Sequence, residues 1–211
     1  MNVDFWHQKW EKGEIGFHAD MPNPLLTAYF SELNIQAGSR VFLPLCGKTL
    51  DIKWLLSKGY RVVGAELSQR AIEQLFSELA LEPKVTEGGK LLHYQAKNLD
   101  IFVGDIFDLS NNEIGVIDAI YDRAAFVALP DDMRKRYSKH LVAITKKAKQ
   151  LLITFEYDQS LIGGPPFSIS SDEVNHHYKE AYNLTLLESK SVVGGLKGVC
   201  PAIEHIWLLH Y

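Results

Sequence analysis

Short apolar runs alternate with amphipathic segments from residue 40 onward, and this order constrains the fold more than any other feature. The sequence predicts a strand over 40–45, a glycine turn at Gly47, a helix over about 49–58, a strand over 61–66 and a helix over 68–79. Strands joined in this way lie parallel in a sheet that helices cover on both faces. Ligands bind to such sheets beyond the carboxyl ends of the strands. We therefore expect an α/β fold with its site at that edge.

The rest of the chain continues the pattern less regularly. Residues 82–98 contain Pro83 and two adjacent glycines, and they are predicted to be an irregular insertion with one short strand around 91–94. A terminal hairpin after the last helix favours an open, mostly parallel sheet of seven strands over a plain dinucleotide fold, which would end in another crossover. The remaining predicted elements are strands over 100–105, 116–121 and 150–157, a helix over 130–145, a helix from Ser170 or Ser171, and strands near 184–192 and 202–211.

The N-terminal segment carries aromatic residues ahead of the predicted sheet. Phe5, Trp6 and Trp10 fall on one face at helical spacing. They could simply be core, but their position before the sheet favours a helical lid over residues 1–36. Residues 37–211 then form the Rossmann-like core, so that all 211 residues belong to one domain.

Composition excludes several classes of partner. The formal charge is −4, with 22 basic and 26 acidic residues, and no basic block gives a footprint for nucleic acid or an acidic membrane. Two cysteines are too few for a disulfide framework and are usual in a reducing compartment. The sequence shows neither a signal layout nor an apolar run long enough to span a membrane. We expect a cytoplasmic protein, most simply a monomer, that acts on a small molecule.

The turn after the first strand is the first candidate site. Gly47 lacks a side chain that would keep a ligand from the backbone N–H groups. The following Lys48 and Thr49 suggest a phosphate-binding P-loop, but that motif needs a glycine where Phe42 stands. Glu66 closes the second strand 19 positions after Gly47. An acidic residue at about this spacing accepts hydrogen bonds from ribose hydroxyls, so the pair predicts a nucleoside site.

The next two strands end in polar residues at the same edge. Asp105 and Ile106 suit the amino edge and the ring face of an adenine, although an Asp after a strand is also a common helix cap. Asp122-Arg123 could equally be a structural ion pair. Cys46 lacks a neighbouring His-Asp pattern and is interpreted as a small residue packed under the ligand rather than a nucleophile. The histidines lack metal-ligand spacing, so we predict no metal site.

The sequence resembles the thiopurine S-methyltransferase family, of the bacterial type, over essentially its whole length. Several blocks in the right order are far more specific than any one of them. They are Phe5-Trp6 with Lys9-Trp10, Gly16-Phe17-His18, Pro44-Leu45-Cys46-Gly47-Lys48, Val63-Gly64-Ala65-Glu66-Leu67-Ser68, Asp122-Arg123-Ala124-Ala125 and Gly164-Pro165-Pro166-Phe167.

The resemblance implies a class I Rossmann-like methyltransferase that uses S-adenosyl-L-methionine. Its acceptors would be thiopurines and related aromatic or heterocyclic thiols, with selenium and tellurium species as further candidates, in xenobiotic detoxification. Animal members have a further arginine in the loop before the last strand, where this chain offers only Lys197. Carried over by position, Trp10, Leu45, Glu66, Asp105, Ile106 and Arg123 line the cofactor site together with the Gly47 turn, and Phe17 encloses the substrate.

The remaining assignments concern the acceptor. Trp6 and Phe167 are further candidate walls for a flat aromatic substrate, and Arg123 is the candidate catalytic residue, orienting the acceptor or stabilising its negative charge. Two other functions stay open at this point. One is an NAD-dependent oxidoreductase, against which the missing third glycine argues. The other is a non-catalytic sensor that binds S-adenosylmethionine.

Overall fold

The structure is a computed structural model, and it describes residues 3–13 and 21–211. The chain forms two compact units, one up to Ala119 and one over Ile120–Tyr211. The described residues contain nine strands rather than the predicted seven. None of the helices in the described ranges is both long and apolar enough to cross a membrane.

The first unit contains the strand-helix-strand pattern that the sequence predicted. Its strands follow the hydrogen-bonded order β3-β4-β5-β2-β1, in which β2 is parallel to both β1 and β5. Its elements are α1 (Val3–Lys12), α2 (Pro24–Tyr29), β1 (Arg40–Leu43), α3 (Leu50–Ser57), β2 (Arg61–Glu66), α4 (Gln69–Glu78), β3 (Lys84–Gly88), β4 (Leu91–Ala96), β5 (Leu99–Val103) and α5 (Asn111–Ile114), with short 3₁₀ turns at Phe30–Leu33 and Ile106–Asp108.

Register and helix capping bring the candidate residues to one edge of this unit. Glu66 pairs with Val103, so β2 and β5 end at the same level. The two helices that follow β1 and β2 begin at side-chain caps, because Thr49 accepts the N–H of Asp51 and Ser68 accepts the N–H of Ala71. A short turn therefore joins each strand to its helix, and these turns lie beyond the carboxyl ends of the parallel strands.

The region predicted as an irregular insertion is instead an antiparallel hairpin of β3 and β4, and β4 continues onto β5. The short strand predicted around 91–94 is confirmed as β4, but β3 was not predicted, because all five of its residues are exposed and carry no apolar alternation. The hairpin packs closely against the end of β5. A Cβ on Gly104, whose φ is +146°, would lie 2.5 Å from the side chain of Leu91.

The second unit has the hydrogen-bonded order β6-β7-β9-β8, and β9 is antiparallel to both neighbours, which confirms the predicted terminal hairpin. The strand predicted from residue 116 starts later because Val116 is solvent-exposed. The elements are β6 (Ala119–Asp122), of which all but the first residue belong to this unit, α6 (Asp131–Ile144), β7 (Lys149–Tyr157), α7 (Ser171–Tyr178), β8 (Asn183–Ser191) and β9 (Ala202–His210), with a 3₁₀ turn at Phe126–Ala128.

Candidate functional site

The turn between β1 and α3 is tied to the end of β2 by hydrogen bonds. The N–H of Gly47 donates to Oε2 of Glu66 at 2.8 Å, and the N–H of Cys46 donates to the carbonyl of Ala65 at 2.9 Å. Leu45 and Gly47 both have positive φ, of 46° and 52°, so the chain reverses sharply here. This geometry confirms that Gly47 and Glu66 lie together, and Leu45 belongs to the same turn. The ligand roles of the three residues stay predictions.

Glu66 is a buried carboxylate, and its hydrogen-bond donors within residues 3–13 and 21–211 are backbone N–H groups. Its second oxygen, Oε1, accepts the N–H of Ser68 at 2.9 Å. Burial raises the pKa of Glu66 above its ordinary value, while the N–H groups of Ser68, Gly47 and Leu67 and the positive charge of His7 lower it by smaller amounts. The carboxylate therefore protonates at a higher pH than an exposed glutamate does.

The Glu66 carboxylate keeps hydrogen-bonding capacity for a ligand. Each carboxylate oxygen can accept two hydrogen bonds. The N–H of Gly47 donates to Oε2 and the N–H of Ser68 to Oε1, and the N–H of Leu67 adds a weaker third interaction. Neighbouring hydroxyls of a ribose are donors of the right kind and spacing for the capacity that is left. The residues present thus fit the sugar of an adenosine cofactor.

Cys46 lies beside this carboxylate and is almost fully buried. The pKa of the Cys46 thiol is raised well above its ordinary value, mainly by burial and secondly by the negative charge of Glu66. A Cβ on Gly64 would lie 2.9 Å from Cys46 Sγ, so the thiol packs directly on the backbone of β2. This contact agrees with the interpretation of Cys46 as a small packed residue.

We expect native protein to resist thiol reagents at pH 8. Both Cys46 and Cys200 are free and buried, and a thiol with a raised pKa has little thiolate to react. Titration with 5,5′-dithiobis(2-nitrobenzoate) should release about one equivalent per thiol only after denaturation. Rapid modification of Cys46 in the folded protein, followed by mass spectrometry, would contradict this.

The end of β5 supplies the third part of the site. The N–H of Gly104 donates to the Glu66 carbonyl at 2.9 Å, which places Asp105 and Ile106 one strand away from the turn. Asp105 Oδ1 accepts the N–H of Phe107 at 3.0 Å, so Asp105 does cap the following 3₁₀ turn. Because its second oxygen is outside that bond, capping and a contact to an adenine amino group are compatible. Ile106 is buried.

Helix α1 carries the candidate lid residues. Trp10 is buried, while Trp6 is half-buried and makes an edge contact with Phe5 at 5.2 Å between ring centroids. The exposed His7 of α1 interacts electrostatically with Glu66, so α1 lies near the buried carboxylate. Phe17, the predicted substrate wall, falls outside the described residues.

The second unit holds the remaining candidates. Arg123 directly follows β6, and its charge acts on the half-buried Glu204 of β9, where burial raises the carboxyl pKa and Arg123 lowers it. Asp122, its neighbour, is completely buried and makes its own hydrogen bonds, with Tyr137 Oη donating at 2.7 Å. Asp122 is thus engaged by neutral donors, and the predicted alternative of a simple Asp122-Arg123 ion pair does not describe the contacts of Asp122.

Phe167 lies in a loop that several hydrogen bonds fix. Its N–H donates to the carbonyl of Val127 at 2.7 Å, and the Arg134 guanidinium lies 5.6 Å from its ring centroid. Lys197 Nζ donates to the carbonyl of Pro165 at 2.7 Å, so the one cation predicted in the loop before the last strand contacts the loop of Phe167.

Asp131, Glu173 and His177 form a cluster with the donor types of a metal site, their ligand atoms lying within 4.8 Å of one another. Arg134 already supplies a positive charge there. Its Nε donates to Glu173 Oε1 at 2.6 Å, and its Nη2 lies 3.9 Å from Asp131 Oδ1.

Three contributors were not identified from the sequence. Ser68 donates to Glu66, and its place two residues after Glu66 at a helix start was a usable signal. His7 lies between Trp6 and Trp10, where only the aromatic spacing gave a signal. Tyr137 gave no signal, because its contact with Asp122 joins residues 15 positions apart through the tertiary fold.

Comparison with protein families and curated proteins gives a consistent result. Residues 1–207 match the family described as thiopurine S-methyltransferase. The chain is 52% identical over 210 residues to a protein of that name from Xanthobacter autotrophicus, with 99% of both chains covered. It is 51% identical over 209 residues to one from Teredinibacter turnerae, covering 99% of this chain and 97% of the relative.

Solved structures share the fold at low sequence identity. A methyltransferase dependent on S-adenosylmethionine from Anabaena variabilis superposes with a TM-score of 0.64 at 17% identity, covering 99% of this chain and 95% of that one. The 1,6-didemethyltoxoflavin-N1-methyltransferase of Burkholderia thailandensis, solved with its substrate and S-adenosylhomocysteine, gives 0.67 at 14% identity, covering 99% and 87%. At these identities the match concerns the fold alone.

Proposed function

This chain belongs to the thiopurine S-methyltransferase family, and on that premise we propose which of its residues carry the reaction. The protein is an enzyme that uses S-adenosylmethionine to methylate sulfur in a small-molecule acceptor. The observation that carries the proposal is the buried Glu66 carboxylate at the end of β2, which accepts the N–H of Gly47 on one oxygen and the N–H of Ser68 on the other.

The first unit binds the cofactor in this proposal. Glu66 accepts the ribose hydroxyls, and the Gly47 turn lets backbone approach the methionine part. Asp105 and Ile106 take the amino edge and the ring face of the adenine. Leu45 and Trp10 complete the apolar lining of the cofactor site.

The bound cofactor supplies a sulfonium that is already a strong methyl donor, so little acid-base machinery is needed. The protein has to align the acceptor sulfur with that methyl group and keep water out. Alignment of two reactants can contribute about 7 to 11 kcal/mol. Trp6, Phe17 and Phe167 are the proposed walls that hold a flat aromatic acceptor, and α1 is the proposed lid.

Arg123 is the proposed catalytic residue, because a fixed positive charge favours the anionic form of a thiol acceptor. We expect Arg123→Gln, which removes that charge, to move the acidic limb of the kcat profile to higher pH, since the bound acceptor then loses its proton less readily. Steady-state assays with S-adenosylmethionine saturating measure this. If only the apparent constant for the cofactor rises and the limb stays in place, Arg123 serves the cofactor carboxylate instead.

The finer assignments belong to the same proposal. Thiopurines and aromatic or heterocyclic thiols are the proposed acceptors, with selenium and tellurium species as further soft, polarisable ones, in a detoxifying role. A net charge of −4 disfavours nucleic-acid partners. We also propose a cytoplasmic monomer in which all 211 residues form one methyltransferase domain.

An acceptor panel tests the proposal directly. Release of S-adenosylhomocysteine would be measured with 6-mercaptopurine, thiophenol, selenite and tellurite, and the methylated product identified by mass spectrometry. We expect turnover of 6-mercaptopurine. Equilibrium dialysis with S-adenosylmethionine against NAD separates this function from an oxidoreductase, and binding without turnover of any acceptor would indicate a sensor.

A further inference from the structure

The turn after β6 is closed by the side chain of Asp122. Asp122 Oδ1 accepts the N–H of Phe126 at 3.0 Å, and the N–H of Ala125 also donates to this carboxylate. The closed turn contains Arg123 and Ala124. Ala124 has a φ of +65°, a conformation that a residue with a Cβ disfavours. The hydrogen bonds from the turn to Asp122 hold this backbone in place, and with it the base of Arg123.

The same turn also fixes the loop of Phe167. Phe126 begins the 3₁₀ turn Phe126–Ala128, and the carbonyl of Val127 in that turn accepts the N–H of Phe167 at 2.7 Å. Arg134 also contacts this loop. Its Nη1 donates to the Leu129 carbonyl at 2.5 Å, and its guanidinium packs against the Phe167 ring. Asp122 therefore closes the turn that carries Arg123, and the 3₁₀ turn that follows it binds the backbone of Phe167.

The donors on Asp122 are neutral. Besides the backbone N–H groups, Tyr137 Oη donates to Oδ2 at 2.7 Å from α6, and Gln150 Nε2 donates to the same oxygen at 3.5 Å from β7. The side chain is 0% exposed. An asparagine in this place could accept the turn N–H groups with its oxygen and donate to Tyr137 Oη with its amide, while the Gln150 amide could turn so that its buried Oε1, which has no hydrogen-bond partner among the described residues, accepts from the asparagine as well. What the turn requires of position 122 is a hydrogen-bond acceptor, and a charge there is only tolerated.

We propose that Asp122 is a positioning residue whose side chain holds Arg123 and Phe167 in one hydrogen-bonded frame, by accepting hydrogen bonds rather than by its charge. This inference rests on the proposed function, in which those two residues serve the acceptor. It predicts that the shape and acceptor capacity of residue 122 control turnover.

Three variants test the proposal in the methylation assay. With S-adenosylmethionine saturating, Asp122→Ala is expected to lower kcat/KM for 6-mercaptopurine by on the order of 10- to 100-fold, the loss that a small misplacement of reacting groups produces. Asp122→Asn is expected to restore it to within about threefold of the original protein. The control is Tyr182→Phe, which deletes another buried tyrosine hydrogen bond, 2.9 Å long, to the Ala148 carbonyl. It should lower stability without changing the kinetics.

Amide hydrogen exchange provides a second readout that needs no activity. In Asp122→Ala the amides of Phe126 and Phe167 should both exchange at least about tenfold faster, and in Asp122→Asn both should stay protected. An Asp122→Asn variant as inactive as Asp122→Ala, or unchanged protection of Phe167 in Asp122→Ala, overturns the inference. Failure of the original protein to methylate any acceptor would instead count against the proposed function. The exchange measurement would still show whether Asp122 holds the turn and the Phe167 loop together.

Discussion

Replacing Glu66 with alanine is expected to weaken S-adenosylmethionine binding by about 100- to 10,000-fold. Each ribose hydroxyl would lose a hydrogen bond to a charged acceptor, worth about 1.5 to 3 kcal/mol, and the two losses together correspond to that range of Kd. The variant also leaves the N–H groups of Gly47 and Ser68 without their acceptor. Isothermal titration calorimetry would measure the affinity.

A cofactor analogue separates the sugar contact from damage to the turn. The original protein should bind S-adenosylhomocysteine far more tightly than its 2′,3′-dideoxy analogue, whereas Glu66→Ala should bind the two about equally. Glu78→Ala is a suitable control, because it removes a carboxylate that pairs with Lys48 on the surface, 2.6 Å away. Its effect on Kd should be below about threefold. If Glu66→Ala still bound S-adenosylhomocysteine far more tightly than the dideoxy analogue, the ribose hydroxyls would bind a residue other than Glu66.

The pKa of Glu66 adds a pH dependence of known sign. Burial raises this pKa, so the charged acceptor is lost at a higher pH than for an ordinary glutamate. Cofactor affinity should therefore fall on acidification before exposed carboxylates titrate, and Glu66→Ala should lack that fall.

The second large effect concerns stability at Asp122. Burial raises the pKa of Asp122 from 3.8 to about 6, which the hydrogen bonds from Tyr137 and the turn only partly offset. Tyr178 and Gln150 also face the carboxylate, and neither is a cation. Because the folded state holds this proton more tightly than the unfolded state, the contribution to stability is fully present below about pH 3.8. It is lost as the pH rises through about 6.

This shift is worth about 3 kcal/mol at 1.36 kcal/mol per pKa unit. An asparagine does not ionise, so the unfolding free energy of Asp122→Asn relative to the original protein should rise by about 2 kcal/mol between pH 4 and pH 7.5, since part of the shift lies below pH 4. Urea denaturation at several pH values measures the difference, with m-values checked for constancy. Exposed Asp158, whose pKa the Ser160 hydroxyl lowers, gives a control of opposite sign in Asp158→Asn. A pH-independent difference for Asp122→Asn would contradict the prediction.

Much of the cofactor-side geometry could be predicted from the sequence because it follows from local rules. A strand, a tight turn, a helix and a second strand fix the distance along the chain between Gly47 and Glu66, and parallel pairing then brings them together. Ligand roles for these residues remain predictions, since spacing specifies proximity rather than chemistry.

What the sequence did not reveal depends on contacts between distant segments. The β3-β4 hairpin lacks apolar alternation, so only its pairing with β5 identifies it as part of the sheet. Asp122 looked like half of an ion pair because its neighbour is an arginine. Besides the N–H groups of its own turn, its donors come from residues 15 and 28 positions further on, which no local pattern encodes.

The exposed hairpin strand has a consequence for how the protein behaves in concentrated solution. β3 lies at the end of its unit's strand order, and an outermost strand offers unpaired N–H and carbonyl groups to any extended chain nearby. Lys84 and Glu87 stand on that strand, which ends at Gly88. Desolvating these charges makes strand addition by a second molecule unfavourable, so the outermost strand acts as a barrier against intermolecular sheet growth.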